Sequence, residues 1–200
     1  GGAIAVMDDS ELQFMNGVSV LQDNIADHIG GAIALLGCRT WTMNNASLLV
    51  WSNKAVFGSA FFFKEHVLES SPPLSNLEVK GNSASGGGTL YWVYELGGMI
   101  EPPSGTEAAS VVWSGNTAPY GTVAATQGVH LNSPVSYIVS TYGAPMSPPV
   151  VSKLFDYYWQ PIPVSTATSS QVELYTDENG LASEFYCDGL RAYLSGSVLY

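Results

Sequence analysis

Val20-Leu21-Gln22-Asp23-Asn24-Ile25-Ala26, Val50-Trp51-Ser52-Asn53-Lys54-Ala55, Val79-Lys80-Gly81-Asn82-Ser83-Ala84 and Trp113-Ser114-Gly115-Asn116-Thr117-Ala118 are four copies of one pattern. In each, a short apolar stretch runs into Asn-x-Ala. The first three asparagines are evenly spaced, and the last step is somewhat longer. A period of about 29 residues means one supersecondary unit copied along an axis, so the repeat decides the fold before any single residue is considered. The residues that recur are corner and core residues, with no acid among them, which lowers the expectation of an enzyme.

More than the asparagine returns at this period. Gly1-Gly2-Ala3-Ile4-Ala5 comes back as Gly30-Gly31-Ala32-Ile33-Ala34, then as Gly58-Ser59-Ala60-Phe61 and Gly87-Gly88-Thr89-Leu90. Leu12 and Phe14 map onto Trp41 and Met43. One unit therefore holds three apolar pieces, Gly1 to Val6, Glu11 to Phe14 and Val18 to Leu21. Each is short, partly alternating and punctuated by glycine or asparagine, which reads as strand. Nothing in the repeat has the spacing of an amphipathic helix. Three strands per repeat without helices predict an all-β chain that opens with a right-handed parallel β-helix over 1–132. A β-sandwich or barrel of short strands is the alternative. In the β-helix, Asn24, Asn53, Asn82 and Asn116 form a ladder, each amide bonding the copy above and the copy below. The alanine two residues on fits a crowded inside corner, and the following glycine allows a left-handed turn.

From Ser133 the period stops. Tyr137-Ile138-Val139, 150–155, Gln171–Tyr175, 183–186 and 190–194 read as short strands, with a turn at Asp177-Glu178-Asn179-Gly180. That spacing predicts an antiparallel sandwich, immunoglobulin-like, over 133–200 and short enough to be incomplete. Residue 1 falls at a Gly-Gly site inside a repeat, and the last residues are apolar. This reads as a segment of a longer protein, or one capped by a neighbour.

The alternation of Gly-Gly-Ala-Ile with apolar-x-apolar-x-x-Asn-x-Ala resembles the repeats of chlamydial polymorphic outer-membrane proteins. It is also similar to the large β-helical surface proteins of protists and algae. In the latter, a coil of the form Gly-Asn-x-Ala-x-Tyr-Gly precedes an immunoglobulin-like domain opening on Leu/Phe-x-Asp-x-Tyr/Phe-x-Gln-x-Val. This chain has Gly115-Asn116-Thr117-Ala118-Pro119-Tyr120-Gly121 and Leu154-Phe155-Asp156-Tyr157-Tyr158-Trp159-Gln160-Pro161-Ile162. The resemblance implies an extracellular scaffold or adhesive role at a cell or flagellar surface, mastigoneme filaments being one such assembly. Its partners would then be copies of itself or other segments of the same filament, and glycans.

Charged residues make up 12% and hydrophobic residues 46% of the chain. There is ample material for a core and little charged surface, so sugar or a neighbouring chain is expected over part of the exterior. With 17 acidic and 6 basic residues the net charge is −11, which disfavours nucleic acid and anionic lipid as partners. No apolar stretch approaches the length of a membrane span.

Candidate chemistry is thin. A β-helical polysaccharide lyase or hydrolase needs clustered carboxylates from adjacent coils. The candidates are Asp8-Asp9-Glu11, Asp23 with Asp27-His28, and Glu65-His66-Glu69, but Asp8 and Asp9 map onto Gly37 and Cys38, and Asp23 onto Ser52 and Gly81. A solvated surface is the favoured reading, and no metal or other cofactor is expected beyond weak calcium binding at Asp177-Glu178-Asn179. Asn45-Ala46-Ser47 is an N-glycosylation sequon, placed opposite Asn16 near a corner. The Pro- and Ser/Thr-rich stretches at 101–110 and 140–152 suit O-linked sugar. Cys38 and Cys187 have three open readings: a disulfide with each other, pairing with cysteines elsewhere, or, for Cys38, a small buried hydrophobe. The expectation is a non-enzymatic extracellular structural glycoprotein that builds a filament or coat. The alternatives are an adhesin or carbohydrate-binding module using Trp51, Trp92 and Trp159, and then the polysaccharide enzyme.

Overall fold

A computed structural model describes residues 1–8, 10–38, 40–64, 76–93, 111–132, 153–163, 170–175, 182–188 and 191–194. All sixteen elements are strands, and there is no helix among the described residues. The chain divides into two compact units, Gly1–Gln127 and Gly128–Tyr200. The expected strand at 137–139, the turn at 177–180 and the Glu65-His66-Glu69 cluster lie outside the described residues.

In the first unit, every paired strand pairs in parallel with the strand one repeat away. The strands β1 (Ile4–Met7), β3 (Ile33–Leu36), β6 (Phe61–Lys64), β9 (Leu90–Trp92) and β11 (Ala124–Thr126) form one five-stranded sheet in that order. Ile4 meets Ile33, Ile33 meets Phe61, Phe61 meets Leu90 and Leu90 meets Ala124. A four-stranded sheet takes β2 (Glu11–Gln22), β4 (Thr40–Trp51), β7 (Leu77–Lys80) and β10 (Val111–Ser114). The Asn-x-Ala segments supply a third, narrow sheet of β5 (Lys54–Phe57) and β8 (Ser83–Gly87).

The core lies between these sheets. Ile33, Leu35, Leu48, Val50, Phe61, Phe63, Leu77, Val79 and Leu90 are at most 1% exposed. Stacking repeats places like against like. Leu21, Val50 and Val79 lie in register, and the rings of Trp41, Phe61 and Phe63 sit 5.4 to 6.3 Å apart. Such ring pairs contribute about 0.5–1.5 kcal/mol each beyond the area they bury.

Two local features differ from the sequence reading. Glu11 to Phe14 and Val18 to Leu21, read as separate pieces, belong to one strand of 12 residues. Asn16 (φ 51°) and Gly17 (φ 119°) turn the chain between them, yet pairing with β4 continues on both sides. Asparagine tolerates the left-handed region, so the bend does not interrupt the ladder. Second, the sharp corner sits before each ladder asparagine as well as after it. Asp23, Ser52, Gly81 and Gly115 have φ of 54–64°.

The second unit is antiparallel. β12 (His130–Asn132) pairs with β13 (Lys153–Phe155), and Phe155 bridges to Pro161. Separately, β14 (Ser170–Tyr175), β15 (Ala182–Asp188) and β16 (Arg191–Leu194) form a three-stranded sheet in that order.

Close approach of successive repeats sets a sharp limit at Gly31, where a Cβ would lie 2.2 Å from the Ser59 carbonyl oxygen. Gly31→Ala forces these two backbones apart, and urea denaturation should show a loss of about 3 kcal/mol.

Candidate functional site

The chemistry concentrated in this molecule is the amide column. Asn24 Nδ2 donates to Asn53 Oδ1 at 2.8 Å, Asn53 Nδ2 to Asn82 Oδ1 at 2.9 Å, and Asn82 Nδ2 to Asn116 Oδ1 at 2.9 Å. Each Oδ1 takes a second bond from the backbone N–H of the preceding asparagine, at 3.0, 2.9 and 3.0 Å. The remaining Nδ2 hydrogens of Asn53, Asn82 and Asn116 go to the carbonyls of Leu21, Val50 and Val79, each at 2.9 Å. Asn53 and Asn82 are fully buried, and both lone pairs and both hydrogens of each amide are used. The backbone fixes the amide orientation, since an N–H only donates and a C=O only accepts.

The column has a direction. Among the described residues, the Oδ1 of Asn24 receives no donor, while the backbone N–H and one Nδ2 hydrogen of Asn116 have no acceptor. One end is an acceptor and the other a donor. Ala55 and Ala84, two residues past their asparagines, are buried in the corner as small side chains.

A weaker rung lies on the outside. Asn45 Nδ2 reaches Asn16 Oδ1 at 3.4 Å, and Asn45 is exposed with φ 52°. The sequon asparagine is thus at an outward corner of β4.

The candidate carboxylates do not gather. Asp8 stands over Gly37, as the bonds from Asp8 N–H to Leu36 O and from Gly37 N–H to Lys64 O fix. Asp23 shares its column with Ser52, Gly81 and Gly115. Asp27 and His28 are exposed. Among the described residues no group of three His, Cys, Asp or Glu side chains comes together. Asp9, Arg39, Glu65, His66, Glu69, Asp177, Glu178 and Asn179 lie outside those residues.

Cys38 is buried, and its thiol donates to the Thr40 carbonyl at 3.3 Å. Burial pushes this thiol above its ordinary range. Cys187 belongs to β15, whose side chains lie outside the described residues, so the pairing expectation has no counterpart here.

Sequence reasoning missed a second constellation, in the second unit. His130 and Trp159 stack with ring centroids 4.2 Å apart and planes at 5°. They come from well-separated segments of a region without a repeat, so no spacing signal links them. Comparison with protein-family models, with curated proteins and with solved structures finds no match to this chain.

Asn53→Ala strips the acceptor from Asn24 N–H and Nδ2 and the donor from Leu21 O, leaving buried groups unpaired. We expect a loss of about 3 kcal/mol in chemical denaturation, against about 1 kcal/mol for Asn24→Ala at the column's end. A raised thiol pKa lowers the thiolate fraction, and burial hinders access. Iodoacetamide should therefore modify Cys38 slowly at neutral pH and rapidly once urea unfolds the chain.

Proposed function

We propose that this chain is a non-enzymatic, extracellular structural segment that assembles into a surface filament or coat. In this reading the first unit is a right-handed parallel β-helix and the second an immunoglobulin-like sandwich. The observation that carries the proposal is the polarity of the asparagine column. A column with an acceptor end and a donor end is complementary to itself head to tail, and a head-to-tail contact that does not close into a ring propagates as a fibre.

Other features of the acceptor end support the reading. Neither β1 nor β2 has a partner on its outer edge among the described residues, and β2 offers 12 residues of backbone for pairing. Met7, Met15, Val18, Val20 and Ile25 on the same repeat are each at least half exposed. An incoming parallel coil, from another copy or from another segment of the same filament, would pair with the edge of β2, cover these side chains in part and supply donors to Asn24 Oδ1, as Asn24 does for Asn53 and Asn53 for Asn82. The exposed corner at Asn45 suits an N-glycan, which would project from the side of the stack rather than from its end. The resemblance to surface proteins of protists and algae adds the extracellular setting and the filament.

The net charge of −11 opposes self-association at low ionic strength, so screening should promote it. Sedimentation velocity and negative-stain electron microscopy should show elongated particles that lengthen from ~20 mM to ~300 mM salt, where the Debye length falls several-fold. Leu48 N–H bonds toward the next repeat, so in the alternating backbone Val20 N–H points to the outer edge of β2; Val20→Pro removes that donor and should shift the particles to monomer. Material that stays monomeric at high salt and high concentration overturns the reading. In a glycosylating host, Asn45→Gln should remove one glycan mass without changing the particle length.

A further inference from the structure

The tip of the second unit's hairpin carries an aromatic residue in a conformation that suits glycine. Asp156 to Trp159 closes a turn, with Trp159 N–H donating to Asp156 O at 3.0 Å and Asp156 N–H donating to Gln160 O at 3.0 Å. Trp159 then has φ 58°. Glycine or asparagine takes that backbone at little cost, whereas a bulky side chain is strained there. The strain is held in place from below. Asp156 is fully buried, and its carboxylate accepts the Gln160 backbone N–H at 2.9 Å and the Gln160 Nε2 at 3.0 Å.

This turn presents an indole instead of hiding it. Trp159 is 59% exposed although one face is covered by the His130 imidazole and Phe155 packs at 5.9 Å. His130 is opposite Phe155 on the strand pair, and two residues along, on the same face, Asn132 is opposite Lys153. Asn132 and Lys153 are both exposed. Two residues of strand rise span roughly 7 Å, about the width of one sugar ring from His130.

We propose that Trp159, backed by His130, is a binding platform for a neutral pyranose saccharide, with Asn132 and Lys153 bonding its hydroxyls. A flat, rigidly held ring with hydrogen-bonding groups beside it matches the two surfaces of a pyranose, one of C–H groups and one of hydroxyls. A nucleobase would also stack, but the charge of the chain repels its phosphates. A second protein surface or an apolar peptide calls for a contiguous apolar patch, and the ribbon beside this ring ends in an amide and an ammonium. The site goes beyond the filament reading, since a monomer would also carry it.

The test uses the full chain with 15N-labelled indoles, titrated separately with cellotetraose, mannotriose and chitotriose while Trp159 Nε1–H is followed by NMR. At least one of these should produce a saturable shift. Trp159→Asn, which suits the left-handed backbone and should keep the circular dichroism spectrum, should weaken that saccharide by on the order of tenfold or more. Trp159→Phe, which keeps a smaller platform, should weaken it less. Three silent titrations, or unchanged binding by Trp159→Asn, would overturn the proposal. So would a saturable shift from uridine monophosphate or a leucine-rich peptide where the saccharides give none.

Discussion

A buried carboxamide needs four hydrogen-bonding partners, and everything in the first unit is arranged around meeting that need at each repeat. An isolated asparagine at this corner would leave polar atoms unpaired, each costing about 1–3 kcal/mol. Stacked on copies of itself, the same side chain becomes self-satisfying, because its amide offers as many donors as acceptors. The backbone must cooperate. The left-handed residue before each asparagine turns the asparagine's own backbone N–H toward the next Oδ1, and the carbonyl three residues before the preceding repeat's asparagine takes the last hydrogen. Sheet register, the small corner alanines and the close passage at Gly31 all follow from keeping those amides one strand spacing apart.

The second unit obeys a different logic. Its described strands are antiparallel, and the fully buried Asp156 carboxylate braces a local turn through Gln160. There a side chain supports a conformation, and the conformation supports an exposed ring. Among the described residues, the first unit uses its buried amides in repetition and the second uses a buried carboxylate at one turn.

This contrast explains what was legible in the sequence. Asn24, Asn53, Asn82 and Asn116 could be read as a column because a buried polar side chain that recurs in phase is best satisfied by its own copies. Ile4, Ile33, Phe61 and Leu90 were readable for the same reason, as a chemical class recurring at one place. The continuous β2 was not, since Asn16 and Gly17 look like a break and act as a bend within a paired strand. Asp23 and Ser52 gave no sign of sharing a backbone conformation with Gly81 and Gly115, because side-chain identity does not report φ. His130 with Trp159 was invisible: contact between non-repeating segments leaves no period. The sugar-facing role suggested for Trp159 among three tryptophans came from residue type alone, and only the turn geometry distinguishes it.

The repeats are not equal in length. The step from Ile4 to its partner Ile33 is one residue longer than the step from Ile33 to Phe61, and the step from Leu90 to Ala124 is longer than either. The ladder is regular in space while the chain between its rungs is not. A strictly periodic chain would face a folding hazard, because a strand could pair one whole repeat out of place and still meet like residues. The asparagines of the first three repeats are evenly spaced, so the guard against slippage lies in the other sheet and in the longer last step, where a displaced strand meets a connection of the wrong length. The irregularity that blurs the repeat therefore works in favour of the native alignment.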